Sequence, residues 1–256
     1  MLDIIATTQN KKYKYIKSLK QKKARDENSV YTVEGRKSVC DAISADSDIC
    51  LVAMSESYYG EYGPVQSDFV VVKDELFSGL CDTKTPQGII AVIKKRDKVI
   101  KINPNGLYIY CDNVSDPGNL GTIIRTADAA GLDGVLLSKG CCDVYSPKTV
   151  RSSMGSFFNI TISSDFSYER LFELKNNNYN LVCGALTDDA KDYTENDFTK
   201  PTVIVVGNEA NGVSDDILRE CHHIIIPIYG KAESLNVAVA TAILAYEARR
   251  QQGGLR

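Results

Sequence analysis

The segment Ile224-Ile225-Ile226-Pro227-Ile228-Tyr229-Gly230-Lys231-Ala232-Glu233-Ser234-Leu235-Asn236-Val237-Ala238-Val239-Ala240 reads as three structures in succession. Its opening isoleucines are β-branched and uniformly apolar, the pattern of a strand covered on both faces, and Pro227 ends the run. A polar loop follows, carrying Gly230, Glu233, Ser234 and Asn236. From Leu235 to about Arg250 the chain is rich in alanine, a strong helix former, and Ser234 or Asn236 stands where an N-cap belongs. Strand end, polar loop and helix start together form a common address for small-molecule sites in α/β folds.

Two further stretches repeat this layout. After the apolar run Leu107 to Cys111 comes Asp116-Pro117-Gly118-Asn119-Leu120-Gly121-Thr122-Ile123-Ile124-Arg125-Thr126-Ala127. Pro and Gly set a tight turn, Asn119 can cap the helix expected over Thr122 to Ala130, and Arg125 falls in its first two turns among apolar and small residues. A guanidinium there stays charged and forks onto phosphate or carboxylate, although a structural ion pair would also account for it. After Thr202 to Val206 comes Gly207-Asn208-Glu209-Ala210-Asn211-Gly212-Val213-Ser214, with a carboxylate between two glycines and Ser214 placed to cap Asp215 to Arg219. No Gly-Lys-Ser/Thr phosphate loop and no Gly-x-Gly-x-x-Gly is present, which disfavours nucleotide and nicotinamide chemistry.

The strands expected at Leu107 to Cys111, Gly134 to Leu137, Asn159 to Ile162, Asn180 to Ala185, Thr202 to Val206 and His223 to Pro227 alternate with helices, one opening at Ser146-Pro147 and one over Tyr168 to Asn177. That alternation predicts a mostly parallel sheet covered on both faces, whose loops converge along one edge. The first part of the chain predicts a smaller α/β unit. Its helices are expected over Gln9 to Lys23, Lys37 to Ser44 (burying Val39, Cys40 and Ile43) and Asp74 to Leu80. Its strands are expected at Val30 to Val33, Ile49 to Met54, Phe69 to Val72 and Gly88 to Ile93, with Arg25 to Ser29 a polar loop. The charged run Lys94-Lys95-Arg96-Asp97-Lys98 serves as a boundary, giving domains over 1–96 and 97–256.

Of 256 residues, 43% are hydrophobic and 25% charged, the balance of a soluble globular protein. No apolar stretch is long enough to span a bilayer and no export signal is visible, so a cytoplasmic protein without a membrane partner is expected. Eight cysteines lack any Cys-x-x-Cys pair, and His222 and His223 are the only histidines, so reduced core thiols are expected and no metal site. The net charge of −3 argues against a uniformly basic nucleic-acid binder, but Met1 to Cys40 holds ten bases against four acids, a local charge of +6. That segment is either a solvated lysine-rich surface or an electrostatic footprint for RNA.

Taken in this order, the three loops resemble the three motifs of the SpoU (TrmH-type) RNA ribose 2′-O-methyltransferases of the SPOUT superfamily. The matching residues are Asp116 to Gly121 with Arg125, Gly207-Asn208-Glu209 with Gly212, and Ile226-Pro227 with Ser234-Leu235-Asn236-Val237. Tyr31-Thr32-Val33-Glu34-Gly35 followed by Val39 resembles the small substrate-binding domain, similar to ribosomal protein L30e, that many members carry. Asp116 stands where many members have Asn, and Ala238 where Ser is frequent. The resemblance implies an α/β C-terminal domain with a deep trefoil knot, against the usual rule of unthreaded chains. It also implies a homodimer and S-adenosylmethionine held by Gly207, Ile226 and Leu235.

The implied reaction is displacement of the sulfonium methyl by a ribose 2′-hydroxyl, without metal. A guanidinium is a poor general base at neutral pH, so Arg125 is expected to bind the adjacent phosphate and stabilise the developing alkoxide, with Asn119, Glu209, Ser234 and Asn236 orienting the groups around it. Lys11, Lys12, Lys22, Lys23, Arg25 and Arg36 become the expected RNA contacts. The extra N-terminal domain points to 23S ribosomal RNA as substrate. The alternatives are transfer RNA, a catalytically inactive RNA- or ribosome-binding protein of this fold, and a different nucleotide-dependent α/β enzyme.

Overall fold

A computed structural model describes residues 4–95, 100–185, 187 and 189–253. Arg96, Asp97 and Lys98 of the charged run, and with them the 96/97 domain boundary, lie outside the described residues. The chain divides into two compact units: Met1–Asp97 with Tyr145–Phe158, and Lys98–Val144 with Asn159–Arg256.

The first unit runs β1 (Ile4–Ile5), α1 (Lys11–Ser18), α2 (Lys22–Asn28), β2 (Val30–Glu34), α3 (Arg36–Ser44), β3 (Ile49–Ser55), α4 (Glu56–Tyr62), β4 (Phe69–Val72), α5 (Asp74–Phe77) and β5 (Ile89–Lys94). Its five strands are ordered β1-β4-β3-β5-β2. β1 and β3 run parallel to β4, and β5 runs antiparallel to β2 and β3. Successive β5 residues alternate between two cores: Ile90 and Val92 join Tyr13, Ile16, Leu19 and Phe77 on one face. Ile89, Ala91 and Ile93 join Tyr31, Val39 and Met54 on the other. Period-two alternation with both faces apolar is what a doubly covered strand requires.

Several expectations are corrected here. The single helix over Gln9 to Lys23 is two, and the loop placed at Arg25 to Ser29 is largely the second of them, closing at Ser29 in the left-handed conformation with φ 52°. The apolar stripe Tyr13, Ile16, Leu19 is nevertheless buried. In α3 the buried face is Val39 with Ala42, while Cys40 and Ile43 are exposed. Helix α4 was not anticipated, although Tyr58 and Tyr62 stand at the helical i, i+4 spacing in Glu56-Ser57-Tyr58-Tyr59-Gly60-Glu61-Tyr62; Ser55 caps it by accepting from the Tyr58 amide.

The second half supplies β6 (Leu107–Cys111), α6 (Pro117–Ala129), β7 (Gly134–Leu137), α7 (Pro147–Ser152), α8 (Ser156–Asn159), β8 (Ile162–Ser163), α9 (Tyr168–Asn176), β9 (Asn180–Gly184), β10 (Lys191–Asp192), β11 (Thr202–Val206), α10 (Asp215–Leu218), β12 (His222–Ile225) and α11 (Val237–Gln251). α7 and most of α8 pack with the first unit, where the Tyr145 and Phe157 rings lie 5.1 and 5.5 Å from Tyr31. The strand expected over Asn159 to Ile162 is therefore the end of a short helix and a two-residue strand.

The second unit holds a seven-stranded sheet ordered β10-β12-β9-β11-β6-β7-β8, parallel at every pairing. From β6 the chain first builds outward through β7 and β8, then returns to insert β9 and β11 on the other side. The β6/β11 junction is thus the point where strand order reverses, the place where open parallel sheets hold ligands beyond their strand C-termini. α11 packs against α6 and β11, burying Leu244, Ala245 and Ala248. At its far end Arg249 Nε donates to the carbonyl of Ala130, 2.9 Å away.

A candidate cofactor site where three loops meet

The loops after β6, β11 and β12 leave the same edge of the sheet, and the first two flank the strand-order reversal. α6 starts earlier than expected: Pro117 occupies its first turn and Asp116 is the N-cap, accepting from the Asn119 amide at 2.9 Å. Asn119 is therefore not the cap. It lies on the helix, with its side chain directed at the other two loops.

Its carboxamide does two things. Nδ2 donates to Glu209 Oε1 at 2.9 Å, and Oδ1 accepts from Asn236 Nδ2 at 3.0 Å. Asn236 in turn caps α11, accepting from the amides of Ala238 (2.9 Å) and Val239 (3.4 Å). Glu209 also accepts from Ser115 Oγ (2.7 Å), the Ser115 amide (3.1 Å) and the Asp116 amide (3.1 Å). One side chain from each loop thus joins a continuous line, Glu209 to Asn119 to Asn236. Partial burial pushes the Glu209 carboxyl up, but hydrogen bonds from Asn119, Ser115 and backbone amides outweigh it and hold the pKa at about 2. At neutral pH it is an ionised acceptor whose hydrogen-bonding capacity is committed to the neighbouring loop.

Beneath this line lies a second network that the sequence reading missed. Asp112, fully buried at the end of β6, accepts from Tyr168 (2.8 Å), Asn113 Nδ2 (2.8 Å) and the Ser214 amide (2.8 Å). Asn208 Nδ2 donates to the Asn113 carbonyl at 2.9 Å, so the β11 loop is tied to the β6 loop twice. Burial raises the pKa of the Tyr168 hydroxyl, which remains a donor. A carboxylate placed directly after five apolar strand residues was the available signal for Asp112; nothing in the sequence marked Tyr168.

Gly207 stands where the backbone of Gly212 and Val213 crosses, and a Cβ there would lie well inside van der Waals contact with it. Asn208 and Gly212 exchange backbone hydrogen bonds of 2.8 and 2.9 Å, closing this loop on itself.

The loops enclose a cavity of about 680 Å³. Gly207, Ile226 and Leu235 line it, together with Glu209, Ser234 and Asn236. Ile224, Ile228, Leu218 and Leu244 add apolar wall. The backbone of residues 226–235 makes no backbone hydrogen bond to another described residue, which leaves amides and carbonyls available along the wall. Apolar walls with free backbone groups suit a ligand that has both a flat apolar part and polar edges. Among the described residues, Asn119 and Arg125 do not line the cavity. Arg125 is exposed on α6, six residues beyond Asn119 and hence about 9 Å further along the helix. Among the described residues, no cluster of three or more His, Cys, Asp or Glu is placed to hold a metal ion. No helix among them is long and apolar enough to cross a membrane.

In the first unit, Lys11, Lys12, Lys22, Lys23 and Arg36 are exposed. Arg25 is not: it is 3% exposed, and its guanidinium donates to the carbonyls of Leu19 (2.7 Å) and Lys20 (2.8 Å) at the end of α1. It is a structural capping residue rather than a surface contact. Lys11-Lys12 and Lys22-Lys23 open α1 and α2 with no acid in either first turn. Cations there oppose the helix dipole at a cost of roughly 0.3–1 kcal/mol each.

Comparison with known proteins agrees with this geometry. A model described as the SpoU rRNA Methylase family matches residues 106–246, and one described as an MRM3-like substrate binding domain matches residues 10–91. The chain is 35% identical over 252 residues to the 23S rRNA (guanosine(2553)-2′-O)-methyltransferase RlmP of Bacillus subtilis, covering 96% of this chain and 98% of that protein. A tRNA (guanosine(18)-2′-O)-methyltransferase of Aquifex aeolicus is 37% identical over 163 residues, 62% of this chain and 76% of that protein. Among solved structures, an AdoMet-bound rRNA methyltransferase from Sinorhizobium meliloti superposes with a TM-score of 0.86 at 33% identity, covering 97% of this chain and 98% of that one.

Proposed function

The chain belongs to the SpoU rRNA Methylase family, and from that membership we propose that it methylates the 2′-hydroxyl of a ribose in large-subunit ribosomal RNA. It is an S-adenosylmethionine-dependent RNA 2′-O-methyltransferase. One observation carries the choice of ribosomal RNA. The likeness to the Bacillus enzyme runs through both units, whereas the likeness to the Aquifex transfer-RNA enzyme covers 62% of this chain.

When bound, S-adenosylmethionine supplies an electrophilic sulfonium methyl. Gly207, Ile226 and Leu235 would hold the cofactor, with the backbone groups of the β12–α11 loop and the isoleucines of the cavity wall available to it. The line Glu209–Asn119–Asn236 fixes the three loops relative to one another; these are positioning residues. Glu209 is too weak a base to take the 2′-hydroxyl proton at neutral pH, since its pKa lies at about 2. Arg125 grips the phosphate beside the acceptor ribose and stabilises the alkoxide as it develops, and Ser234, exposed at the cavity wall, orients the ribose. The deep trefoil knot is part of this reading: α11 packs on β11 and α6 although β12, which precedes it, lies beyond β9. So is the homodimer, supported by apolar residues left exposed on α11, Val239 at 49% and Tyr246 at 54%.

The first unit is the RNA-binding domain. Paired lysines kept at two helix N-termini against the helix dipole support this role, because folding alone disfavours them there. We place the protein in the cytoplasm, where its substrate is assembled into ribosomes. The test is transfer of labelled methyl to RNA from cells lacking this gene, with large ribosomal RNA and transfer RNA separated. Label in a 2′-O-methylated nucleotide of the ribosomal fraction is expected. Label confined to transfer RNA would overturn the substrate, and cofactor binding without label in any RNA or ribosomal precursor would overturn the activity.

A further inference from the structure

We propose that Arg36, Tyr62 and Tyr58 form a nucleobase-stacking platform on the first unit, which takes one unpaired base of the RNA against the Arg36 guanidinium. The inference rests on the reading of this unit as RNA-binding and adds a site of a different chemical kind from its lysines.

The three side chains are layered from core to solvent. Tyr58 is 8% exposed and packs with Met54 and Val39. The Tyr62 ring, 43% exposed, lies 4.7 Å from it. The Arg36 guanidinium lies over Tyr62, 4.0 Å from the ring centroid. The support under Arg36 is fixed. Its amide donates to Gln87 Oε1 at 2.9 Å, and Gly35 before it has φ +91°, a conformation that favours glycine. A planar cation thus sits over an exposed ring, on a residue that is itself open to solvent.

Guanidinium planes and tyrosine rings are the surfaces on which proteins stack splayed RNA bases. The local charge favours a base over a phosphate. The neighbouring Glu61 carboxylate raises the pKa of the Tyr62 hydroxyl and so places a negative charge beside the stack. The lysines that open α1 and α2 have no such role conflict: they meet the backbone, while the platform meets a base.

The experiment uses the full chain and a single-stranded oligoribonucleotide carrying one 2-aminopurine, whose fluorescence is quenched by stacking. Wild-type protein is expected to quench it on binding. Tyr62→Leu and Arg36→Lys are each expected to abolish the quench and weaken binding about tenfold. Arg36→Lys retains the charge, so the salt dependence of its binding is expected to stay that of wild type. Unchanged S-adenosylmethionine affinity in both variants reports that the second unit is intact. Wild-type quenching and affinity in Arg36→Lys would show that charge alone matters and would overturn the platform; so would their persistence in Tyr62→Leu. A wild-type protein that binds the oligonucleotide without quenching would overturn the platform while leaving the RNA-binding role standing, whereas a wild-type protein that binds no RNA would overturn both.

Discussion

The loop cluster of the second unit and the basic face of the first put polar side chains to opposite uses. In the loop cluster they are spent on one another: Glu209 accepts four hydrogen bonds, and Asn119 and Asn236 each use both ends of the carboxamide. On the basic face Lys11, Lys12, Lys22 and Lys23 are left exposed; even the Lys23–Glu27 pair is 3.8 Å apart with side chains 84% and 62% exposed. Committed side chains fix geometry, which a methyl transfer between two bound molecules requires. Exposed cations supply affinity that depends on salt and tolerates rearrangement. Substitutions in the first region should therefore change rate and cofactor affinity, and substitutions in the second should change RNA affinity alone.

The largest effect is expected at Arg125, which belongs to the committed region in position but to neither pattern in role. Arg125→Ala should lower the methyl-transfer rate at saturating RNA roughly 10²–10³-fold while S-adenosylmethionine affinity, read by calorimetry, stays within about twofold. Near-wild-type rate would show that this cation is not what stabilises the alkoxide. Gly207→Ala comes next. Its Cβ must displace the Gly212–Val213 backbone, so cofactor affinity should fall at least about tenfold, with RNA binding retained. Retained affinity would mean that the β11 loop tolerates the shift and that its contour matters little.

A smaller effect, in pH, separates the regions further. The folded-state pKa of Glu209 is about 2, below the roughly 4.3 of an unfolded glutamate, so its contribution to stability is present above that value and is lost as pH falls from about 4.3 toward 2. Glu209→Gln should lower the melting temperature at pH 7 by a few degrees and flatten the acid limb of the stability curve. An unchanged acid limb would place the acid sensitivity elsewhere. The smallest effect belongs to the basic face. Each of Lys12→Ala and Lys22→Ala should weaken RNA binding only a few-fold and reduce the salt slope by about one. A loss of cofactor affinity in either variant would break the division of roles.

What could be read in advance follows the same divide. The strands at Leu107 and Thr202 announced themselves because each is buried on both faces, whereas β12, expected over His223 to Pro227, is His222–Ile225 with only Ile224 buried; the three loops after them were identifiable by motif. The cavity duly brings Gly207, Ile226, Leu235, Ser234, Asn236 and Glu209 together. The connections between loops were not legible, since Asn119 bonds Glu209 across 90 residues and Asn236 across 117. Nor was Tyr168, which reaches Asp112 across 56 residues from a helix with no motif. In the first unit, charge was legible but burial was not: Arg25 looked like its neighbours until the end of α1 was seen to need its guanidinium. The break between α1 and α2 was hidden because Lys20-Gln21-Lys22 carries no Gly or Pro.

Calorimetric titration of S-adenosylmethionine into Asn119→Ala tests the central claim most directly, because Asn119 does not line the cavity and can influence it only by holding the three loops. The account predicts at least about a tenfold loss of cofactor affinity with the protein still folded. Wild-type affinity in that variant would contradict it, and would mean that the loops keep their arrangement without the line of side chains that joins them.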